Sequence, residues 1–259
     1  MAESFVQLDR DGSVATVTLS RLVKLNALTP AMLDQLEQVV RELDADTDIR
    51  VVILTGAGDK AFCVGADINQ WAALQPLDMW RRWIRRGHQV FDQWARLRQP
   101  VITAINGHAF GGGLELAITG DIRIAAAHAQ FALPEASIAT CPGWSGTQRL
   151  VQLIGASRAK YLALSGARVS AADALASGLV HEVVQTEDLR SRALTLAREM
   201  AAKAPVALQL TKQLVNAAAG ENAAATLEAM AGALAASTQD AAEGIRSFRE
   251  KRPPKYLGR

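Results

Sequence analysis

Three consecutive glycines followed by a glutamate are the first residues of this sequence whose types and spacing could do chemistry. The apolar run Val101–Ile105 stops at a turn-type dipeptide, and Gly111–Gly113 then precede residues at helical spacing. The first N–H groups of a helix have no internal partner and carry partial positive charge. Because glycines leave those groups open to a ligand, this segment could hold a developing oxyanion. Glu115, in the first turn, is favoured there in its charged form.

A purely structural interpretation of the same residues stays open. The glycines could simply let the helix pack against a strand, while Glu115 complements the helix dipole. A second carboxylate, Glu135, follows Pro134 in an apolar neighbourhood. On spacing alone, Glu115 and Glu135 are more readily two ordinary glutamates than an acid/base pair. Other parts of the sequence have to decide between these interpretations.

A serine in the Cys141–Gly146 loop is a second candidate for catalysis. A nucleophile elbow of the form G-x-S-x-G around Ser145 would need glycine where Thr147 stands. The sequence also places no His–Asp pair beside this serine. A serine hydrolase is therefore disfavoured.

Composition excludes several classes of protein. The 259 residues are enough for one large domain, or for one domain with an appendage, and 49% of them are hydrophobic. The net charge of +2 gives no case for nucleic-acid or membrane binding. Cys63 and Cys141 are far apart, which favours a reducing compartment over a disulfide framework. Since Met1–Arg10 lacks the apolar core of a signal peptide and no apolar run is long enough to span a bilayer, we expect a cytoplasmic protein.

The elements that must position these residues can be read from the periodicity. Alternating runs around Asp11-Gly12 predict a β-hairpin of Phe5–Asp9 and Val14–Leu19, and Thr29-Pro30 predicts a helix start. A helical pattern runs from Trp71 to Leu97. Further strands are predicted at Val51–Leu54, Ile122–Ala125, Gln130–Leu133 and Leu179–Val184. Helices are predicted at Leu189–Lys203, Pro205–Ala218, Ala223–Ala236 and Ala241–Phe248.

With these elements placed, five motifs can be compared with those of known families: LNAL (Leu25–Leu28), FCVGADI (Phe62–Ile68), NGHAFGGGLEL (Asn106–Leu116), FALPEASIATCPGWSGTQRL (Phe131–Leu150) and SGARVSAADALASGLV (Ser165–Val180). Through these motifs the sequence resembles the crotonase (enoyl-CoA hydratase/isomerase) superfamily along nearly its whole length. The resemblance implies an α/β fold, a spiral of ββα units with a C-terminal helical trimerisation region. It implies a core in residues 1–195, an oligomerisation region in residues 196–259, and a homohexamer built as a dimer of trimers.

The resemblance also assigns roles to residues. Ala66 and Gly112 take the positions whose backbone N–H groups hold a thioester oxygen, and Glu115 and Glu135 take those of two acid/base glutamates. Near the C-terminus, the segment around Phe248 falls where a neighbouring subunit can reach coenzyme A. Contacts to the substrate or its coenzyme A are implied for Lys24, Leu25, Ala27, Gly65, Asp67, Ile68, Gly111, Pro134, Gly143, Trp144, Phe248 and Lys251.

The implied activity is the reversible addition of water to a trans-2-enoyl-CoA, as in fatty acid β-oxidation or related acyl-CoA catabolism. It needs no metal and no cofactor apart from the coenzyme A of the substrate. We expect Glu115 to be the ionised base and Glu135 the proton donor, with the reverse assignment open. The alternatives within the superfamily are a double-bond isomerase or a specialised dehydratase or lyase. Outside the enzyme class, the alternative is a non-catalytic acyl-CoA-binding protein.

Trp144 is the main departure from the superfamily pattern. Together with Ser145 it stands where smaller residues, often Ala-Gly, are common. Leu22 is a second departure, since it replaces the usual proline before the LNAL segment. We expect Trp144 either to form part of the acyl pocket wall near Glu135 or to be a core residue beneath the loop.

Overall fold

The computed structural model describes residues 5–259, which form two β-sheets and a series of helices. The strands are β1 (Val6–Asp11), β2 (Val14–Leu19), β3 (Val51–Gly56), β4 (Ala61–Cys63), β5 (Val101–Ile105), β6 (His108–Phe110), β7 (Ile122–Ala126), β8 (Gln130–Ala132), β9 (Val169–Ser170) and β10 (Glu182–Val184). The helices are α1 (Pro30–Ala45), α2 (Ile68–Trp71), α3 (Pro76–Asp78), α4 (Arg85–Arg96), α5 (Gly112–Ala117), α6 (Gly146–Ser165), α7 (Ala171–Ser177), α8 (Leu189–Ala201), α9 (Pro205–Ala218), α10 (Ala223–Ala236) and α11 (Gln239–Glu250).

The two sheets are built by a repeated strand–strand–helix unit. The larger sheet has the order β1-β2-β3-β5-β7-β10, and the smaller has the order β4-β6-β8-β9. In each of the pairs β3–β4, β5–β6 and β7–β8, the first strand joins the larger sheet and the second joins the smaller one. Helices follow every pair, and β3, β5 and β7 run parallel to one another. The predicted α/β spiral of ββα units is therefore confirmed.

Several local predictions hold for plain chemical reasons. β1 and β2 form the predicted antiparallel hairpin, in which Val6 pairs with Leu19. At the start of α1, Thr29 Oγ1 accepts a hydrogen bond from the Met32 N–H at 3.2 Å, and Pro30 takes the first helical position. The buried face of α1 consists of Met32, Leu33, Leu36, Val39, Val40 and Leu43.

The region predicted as one helical run from Trp71 to Leu97 is broken into several pieces. α2 and α3 are single turns, and the residues Met79–Ile84 form a π-helical turn that leads into α4. Pro76 begins α3, and because proline has no N–H it cannot continue the preceding helix. The short strand β6 was not predicted, since three residues are too few to display an alternation.

The core lies against both sheets and is rich in aromatic and branched side chains. Trp94, Phe62, Phe91 and Phe131 are among the largest side chains that are fully buried. Among residues 5–259, no helix is both long enough and apolar enough to cross a membrane.

The chain divides into two compact units, of which the first ends at Gln209 and the second is Leu210–Arg259. Residue 195, after which the oligomerisation region was predicted to begin, lies within α8, and that boundary stays a prediction. In the second unit, Glu243 of α11 pairs with Arg252, and Asp240 accepts hydrogen bonds from the Leu257 and Gly258 N–H groups at 2.6 and 2.7 Å. The C-terminal tail thus folds back on α11. The role of this region in oligomerisation stays a prediction.

Candidate active site

A cavity of about 210 Å³ lies where the start of α5 meets the turn after β4. Ten of the residues with predicted site roles line it: Gly65, Ala66, Ile68, Gly111, Gly112, Glu115, Pro134, Glu135, Gly143 and Trp144. The cavity is therefore the candidate active site.

Backbone contacts at one edge of the cavity are too close for any residue but glycine. A Cβ on Gly113 would lie 2.0 Å from the carbonyl oxygen of Cys63, and a Cβ on Gly65 would lie 2.9 Å from that of Phe110. The same hypothetical Cβ of Gly65 would lie 3.3 Å from the Gly112 nitrogen. These glycines let the turn after β4 and the start of α5 touch backbone to backbone.

The close approach brings the two predicted oxyanion donors to one cavity. The turn containing Ala66 is held by the Leu28 N–H, which donates to the Gly65 carbonyl, and by the Asp67 N–H, which donates to the Leu28 carbonyl, both at 2.8 Å. Within residues 5–259, the Ala66 N–H has no backbone carbonyl as its own acceptor. The Gly112 N–H is the first of α5, so it has no partner within the helix. Two N–H groups are thereby available to an oxygen atom in the cavity.

Asp67 supports this arrangement from outside the cavity. Its carboxylate lies 2.8 Å from Arg21 NH1 and accepts a hydrogen bond from the Asn69 N–H at 3.1 Å. Burial alone would raise the pKa of Asp67, but these hydrogen bonds and the nearby positive charges outweigh it and lower the pKa. The carboxylate therefore stays charged and fixes the turn next to Ala66.

Glu115 is buried and is held by backbone donors. Its Oε1 accepts hydrogen bonds from the Trp144 and Gly146 N–H groups, both at 2.8 Å. Burial raises the pKa of Glu115, whereas the N–H groups of Gly146, Trp144 and Gly143 act to lower it. A Cβ on Gly146 would lie 2.7 Å from Oε1, so this contact also requires glycine. Glu115 is thus fixed by one oxygen.

Glu135 is placed differently, in a 3₁₀ turn (Glu135–Ile138) after Pro134. Its Oε2 is buried and has no hydrogen-bond partner within residues 5–259. Burial, opposed in part by its own N–H and assisted by the charge of Glu115, raises the pKa of Glu135 to about 7. The two carboxyl groups therefore interact, and their surroundings differ, since one has fixed donors and the other has a free oxygen. Such a difference is what a pair of carboxyl groups needs in order to divide the roles of acid and base.

Trp144 meets both descriptions that the sequence left open. It is 2% exposed and packs against Trp83 and Phe91, with ring centroids 5.2 Å apart in each case. It also lines the cavity, since a Cβ on Gly112 would lie 2.8 Å from its ring. Trp144 is a core residue whose ring edge forms part of the cavity wall.

Six of the predicted contact residues lie elsewhere. Lys24, Ala27 and Asp67 do not line this cavity, and Leu25 lines a different one together with Lys60 and His128. Phe248 and Lys251 belong to the second unit, where Phe248 is 85% exposed and Lys251 ends α11. Their roles stay predictions.

Sequence reasoning missed much of the apolar wall. Apart from Val64, in the turn after β4, the missed residues lie in the broken helical region or between β8 and α6. For those in the broken helical region, the signal that could have found them was the cluster of tryptophans that follows the GADI segment. The residues are Val64, Trp71, Met79, Trp83, Ile84, Ile138, Thr140 and Cys141.

Comparison with known proteins agrees with this geometry. A sequence profile of the family described as "Enoyl-CoA hydratase/isomerase" matches residues 9–259. The chain is 39% identical to the short-chain-enoyl-CoA hydratase of Clostridium acetobutylicum, over 95% of each protein. It is 35% identical to the crotonyl-CoA hydratase of Syntrophomonas wolfei, over the full length of both. The crystal structure of an enoyl-CoA hydratase from Bacillus anthracis superposes with a TM-score of 0.82 at 37% identity, covering 99% of this chain and 100% of that one. The chain belongs to the enoyl-CoA hydratase/isomerase family.

The raised pKa of Glu135 predicts a pH-dependent stability. In the unfolded chain a glutamate has its ordinary pKa near 4.5, so between about pH 4.5 and 7 the folded state binds the proton more tightly. Unfolding free energy should therefore fall as the pH rises through this window. Glu135→Gln removes the effect, and urea unfolding should find the variant more stabilised, relative to wild type, at pH 8 than at pH 4.5.

Glu182 provides a control of opposite sign. Its hydrogen bonds to Arg192 lower its pKa, so its contribution to stability is present above pH 4.5 and is lost at lower pH. Glu182→Gln should therefore destabilise the protein more at pH 7 than at pH 3.5. A difference between wild type and Glu135→Gln that does not vary with pH would contradict the environment described for Glu135.

Proposed function

We propose that this protein is an enoyl-CoA hydratase, which adds water reversibly to a trans-2-enoyl-CoA to give a 3-hydroxyacyl-CoA. The observation that carries the proposal is that Glu115 and Glu135 line the same cavity as the free N–H groups of Ala66 and Gly112. Hydratases named among its relatives support the same activity.

The two N–H groups supply the first requirement of the reaction. When water attacks carbon 3 of the enoyl group, negative charge moves to the thioester oxygen as an enolate forms. Donors at Ala66 and Gly112 stabilise that charge most strongly as it builds up, and they are fixed before the reaction starts. No metal ion or separate cofactor is needed for this step, and we propose that none is used.

The carboxyl groups supply the second requirement, which is proton transfer. Glu115, whose Oε1 is held by two N–H groups, acts as the charged carboxylate and takes a proton from the attacking water. Glu135, whose pKa lies near 7, carries the proton that is delivered to carbon 2. The reverse reaction uses the same groups in exchanged roles.

A chain segment beside the oxyanion donors is placed to contact the coenzyme A of the substrate. The Leu25 carbonyl accepts a hydrogen bond from the Val64 N–H at 3.2 Å, and Leu28 pairs with Ala66. The segment Lys24–Ala27 therefore lies next to the position of the thioester. We propose that it contacts the coenzyme A, with the positive charge of Lys24 available to a phosphate.

Location and assembly are further parts of the proposal. Cys63 is buried, Cys141 is exposed, and both are free thiols, which suits the cytoplasm. Residues 210–259 expose many large apolar side chains for their size, which suits burial against other subunits. We propose a homohexamer, a dimer of trimers, in which Phe248 and Lys251 reach the coenzyme A of a neighbouring subunit. The exposed residues are Leu210, Leu214, Val215, Leu227, Leu234, Ile245, Phe248, Tyr256 and Leu257.

Removal of either carboxylate should abolish most of the hydration. Glu115→Gln and Glu135→Gln keep the side-chain shape, so each should reduce kcat for crotonyl-CoA by roughly 10²–10⁴-fold. Affinity for coenzyme A should change little. Because both groups act in the same addition of water, the double variant should lose far less than the product of the two single losses. Hydration at the wild-type rate in Glu135→Gln would contradict the two-carboxylate mechanism and show that one base is sufficient.

Shortening Trp144 should change the preference for acyl groups. Trp144→Ala removes part of the cavity wall, so kcat/KM for longer or branched enoyl-CoAs should rise relative to that for crotonyl-CoA. The same change should lower the unfolding free energy by about 3–5 kcal/mol. Trp94→Ala is the matched control, because Trp94 is fully buried and does not line the cavity. If both variants lose stability and neither changes the acyl preference, Trp144 acts in the core alone.

The assembly can be checked by analytical ultracentrifugation. At micromolar concentration the protein should sediment as a hexamer or as its trimeric half. Truncation before Ala241 should weaken coenzyme A binding, since it removes Phe248 and Lys251. A stable monomer with full affinity for coenzyme A would exclude the proposed assembly.

A further inference from the structure

A polar cluster joins α4 to the start of α6, outside the cavity. Asp92 Oδ1 accepts hydrogen bonds from the Ser145 hydroxyl at 3.3 Å and from Arg149 NH2 at 3.0 Å. His88 completes the cluster, because its Nδ1 lies 3.2 Å from Ser145 Oγ and its Nε2 lies 3.4 Å from Asp92 Oδ2. Ser145 and Arg149 are 6% and 4% exposed, so the cluster is buried on the side that meets the first turn of α6.

The cluster holds the residue that separates the two donors of Glu115. The Trp144 and Gly146 N–H groups both bond to Glu115 Oε1, and Ser145 lies between them in the chain. Its φ of 78° is in the left-handed region, which disfavours residues that carry a Cβ. A turn that is strained in this way persists only if its surroundings hold it. The hydroxyl of Ser145 and the side chain of Arg149, both on Asp92, provide such a constraint.

A nucleophilic role for this serine does not fit the geometry. Ser145, His88 and Asp92 are the residue types of a hydrolase triad, but Ser145 does not line the cavity. Its oxygen lies within hydrogen-bond distance of Asp92 itself, whereas a triad aspartate hydrogen-bonds to the histidine and not to the nucleophilic serine. The candidate oxyanion donors are on Ala66 and Gly112 instead. The cluster is therefore connected to the catalytic carboxylate through the backbone and through charge.

The charges of the cluster also act on Glu115. Arg149 is positive, buried and near enough to Glu115 to contribute to lowering its pKa. Asp92 forms an ion pair with Arg149 at 3.0 Å and so offsets part of that effect. The other ionisable groups near Asp92 are His88 and, at 3.6 Å, the half-exposed Arg96. Those that line the cavity with Glu115 are Glu135 and Cys141.

We propose that Asp92 is a positioning residue for Glu115, acting through Ser145 and Arg149 on the turn whose N–H groups hold the carboxylate. The effect on turnover rests on the proposed hydratase function. The effect on the Glu115 carboxyl group does not, since it follows from the contacts alone.

Two substitutions should move the same pKa in opposite directions. Ser145→Ala removes the hydroxyl but no charge, so the two N–H donors loosen and the pKa of Glu115 rises. Asp92→Asn keeps an oxygen for Ser145 and Arg149 but leaves the Arg149 charge less compensated, so the pKa of Glu115 falls. Arg96→Gln is the matched control and should leave this pKa at its wild-type value. Carbon-13 NMR of labelled glutamate, with Glu115→Gln to assign the signal, measures the pKa without any turnover.

Steady-state kinetics provide the second measurement. Ser145→Ala should reduce kcat for crotonyl-CoA by roughly 10-fold with KM within about 2-fold, and should move the acidic limb of the pH profile to higher pH. Asp92→Asn should move that limb to lower pH. If Ser145→Ala fails to fold, the Glu115 pKa and the pH profile of Asp92→Asn are sufficient to test the proposal.

The outcomes separate the two proposals. A wild-type protein that hydrates no 2-enoyl-CoA would overturn the proposed function, while the NMR titrations would still test the positioning role. Loss of stability in both variants with an unmoved Glu115 pKa and unmoved pH profiles would mean that the cluster is purely structural. That result would overturn the positioning role and leave the hydratase function intact.

Discussion

The contact of Gly113 with the Cys63 carbonyl is the constraint on which this site depends. Two backbone segments from different ββα units touch there without any side chain between them, and a single methyl group would overlap the carbonyl oxygen. α5 has only six residues and begins with two glycines, so it is a poor helix by itself. Its stability comes from packing, because every residue from Gly112 to Ala117 is buried. The fold thus uses its core to hold an intrinsically weak helix start in a position where its first N–H is free.

Burial affects both carboxyl groups of the cavity, but the backbone around them differs. Both lie in a largely apolar cavity, where the pKa of each is raised, and two negative charges there would repel one another. The backbone N–H groups stabilise the charged form of one carboxyl group more than that of the other. Glu115 receives N–H donors from the loop before α6, whereas Glu135 keeps an oxygen without a partner among the described residues 5–259. A difference in acid and base strength therefore arises from the same residue type, through the placement of peptide N–H groups.

The sequence predicted those features that depend on local chemistry. The hairpin, the Thr29 cap and the glycine-rich start of α5 all follow from short-range preferences. The motifs also predicted ten residues that now line one cavity, although their individual roles stay predictions. Local patterns could not reveal the π-helical turn, because its residues retain a nearly helical period.

Long-range polar contacts were also beyond the sequence. A nucleophilic role for Ser145 was disfavoured because Thr147 stands where a glycine is needed and because no His–Asp pair could be placed beside the serine. His88 and Asp92 do lie beside it, but they are far away in the chain and belong to a helix whose polar residues have the spacing of an ordinary solvated face. The periodicity of the sequence does not show which side chain on such a face will contact a loop from another ββα unit. Only the assembled fold defines that contact.

Trp144 connects the constraint on the backbone with the choice of substrate. Its ring occupies the space between Gly87 of α4 and Gly112 of α5, and a Cβ on either glycine would collide with it. The ring therefore fits only because Gly87 in the core and Gly112 at the oxyanion donor have no side chain. A smaller residue at position 144 would enlarge the cavity, but it would also leave the packing against Trp83 and Phe91 incomplete. The size of the acyl pocket is consequently tied to the packing of the core, so the pocket cannot be widened at this wall without a cost in stability.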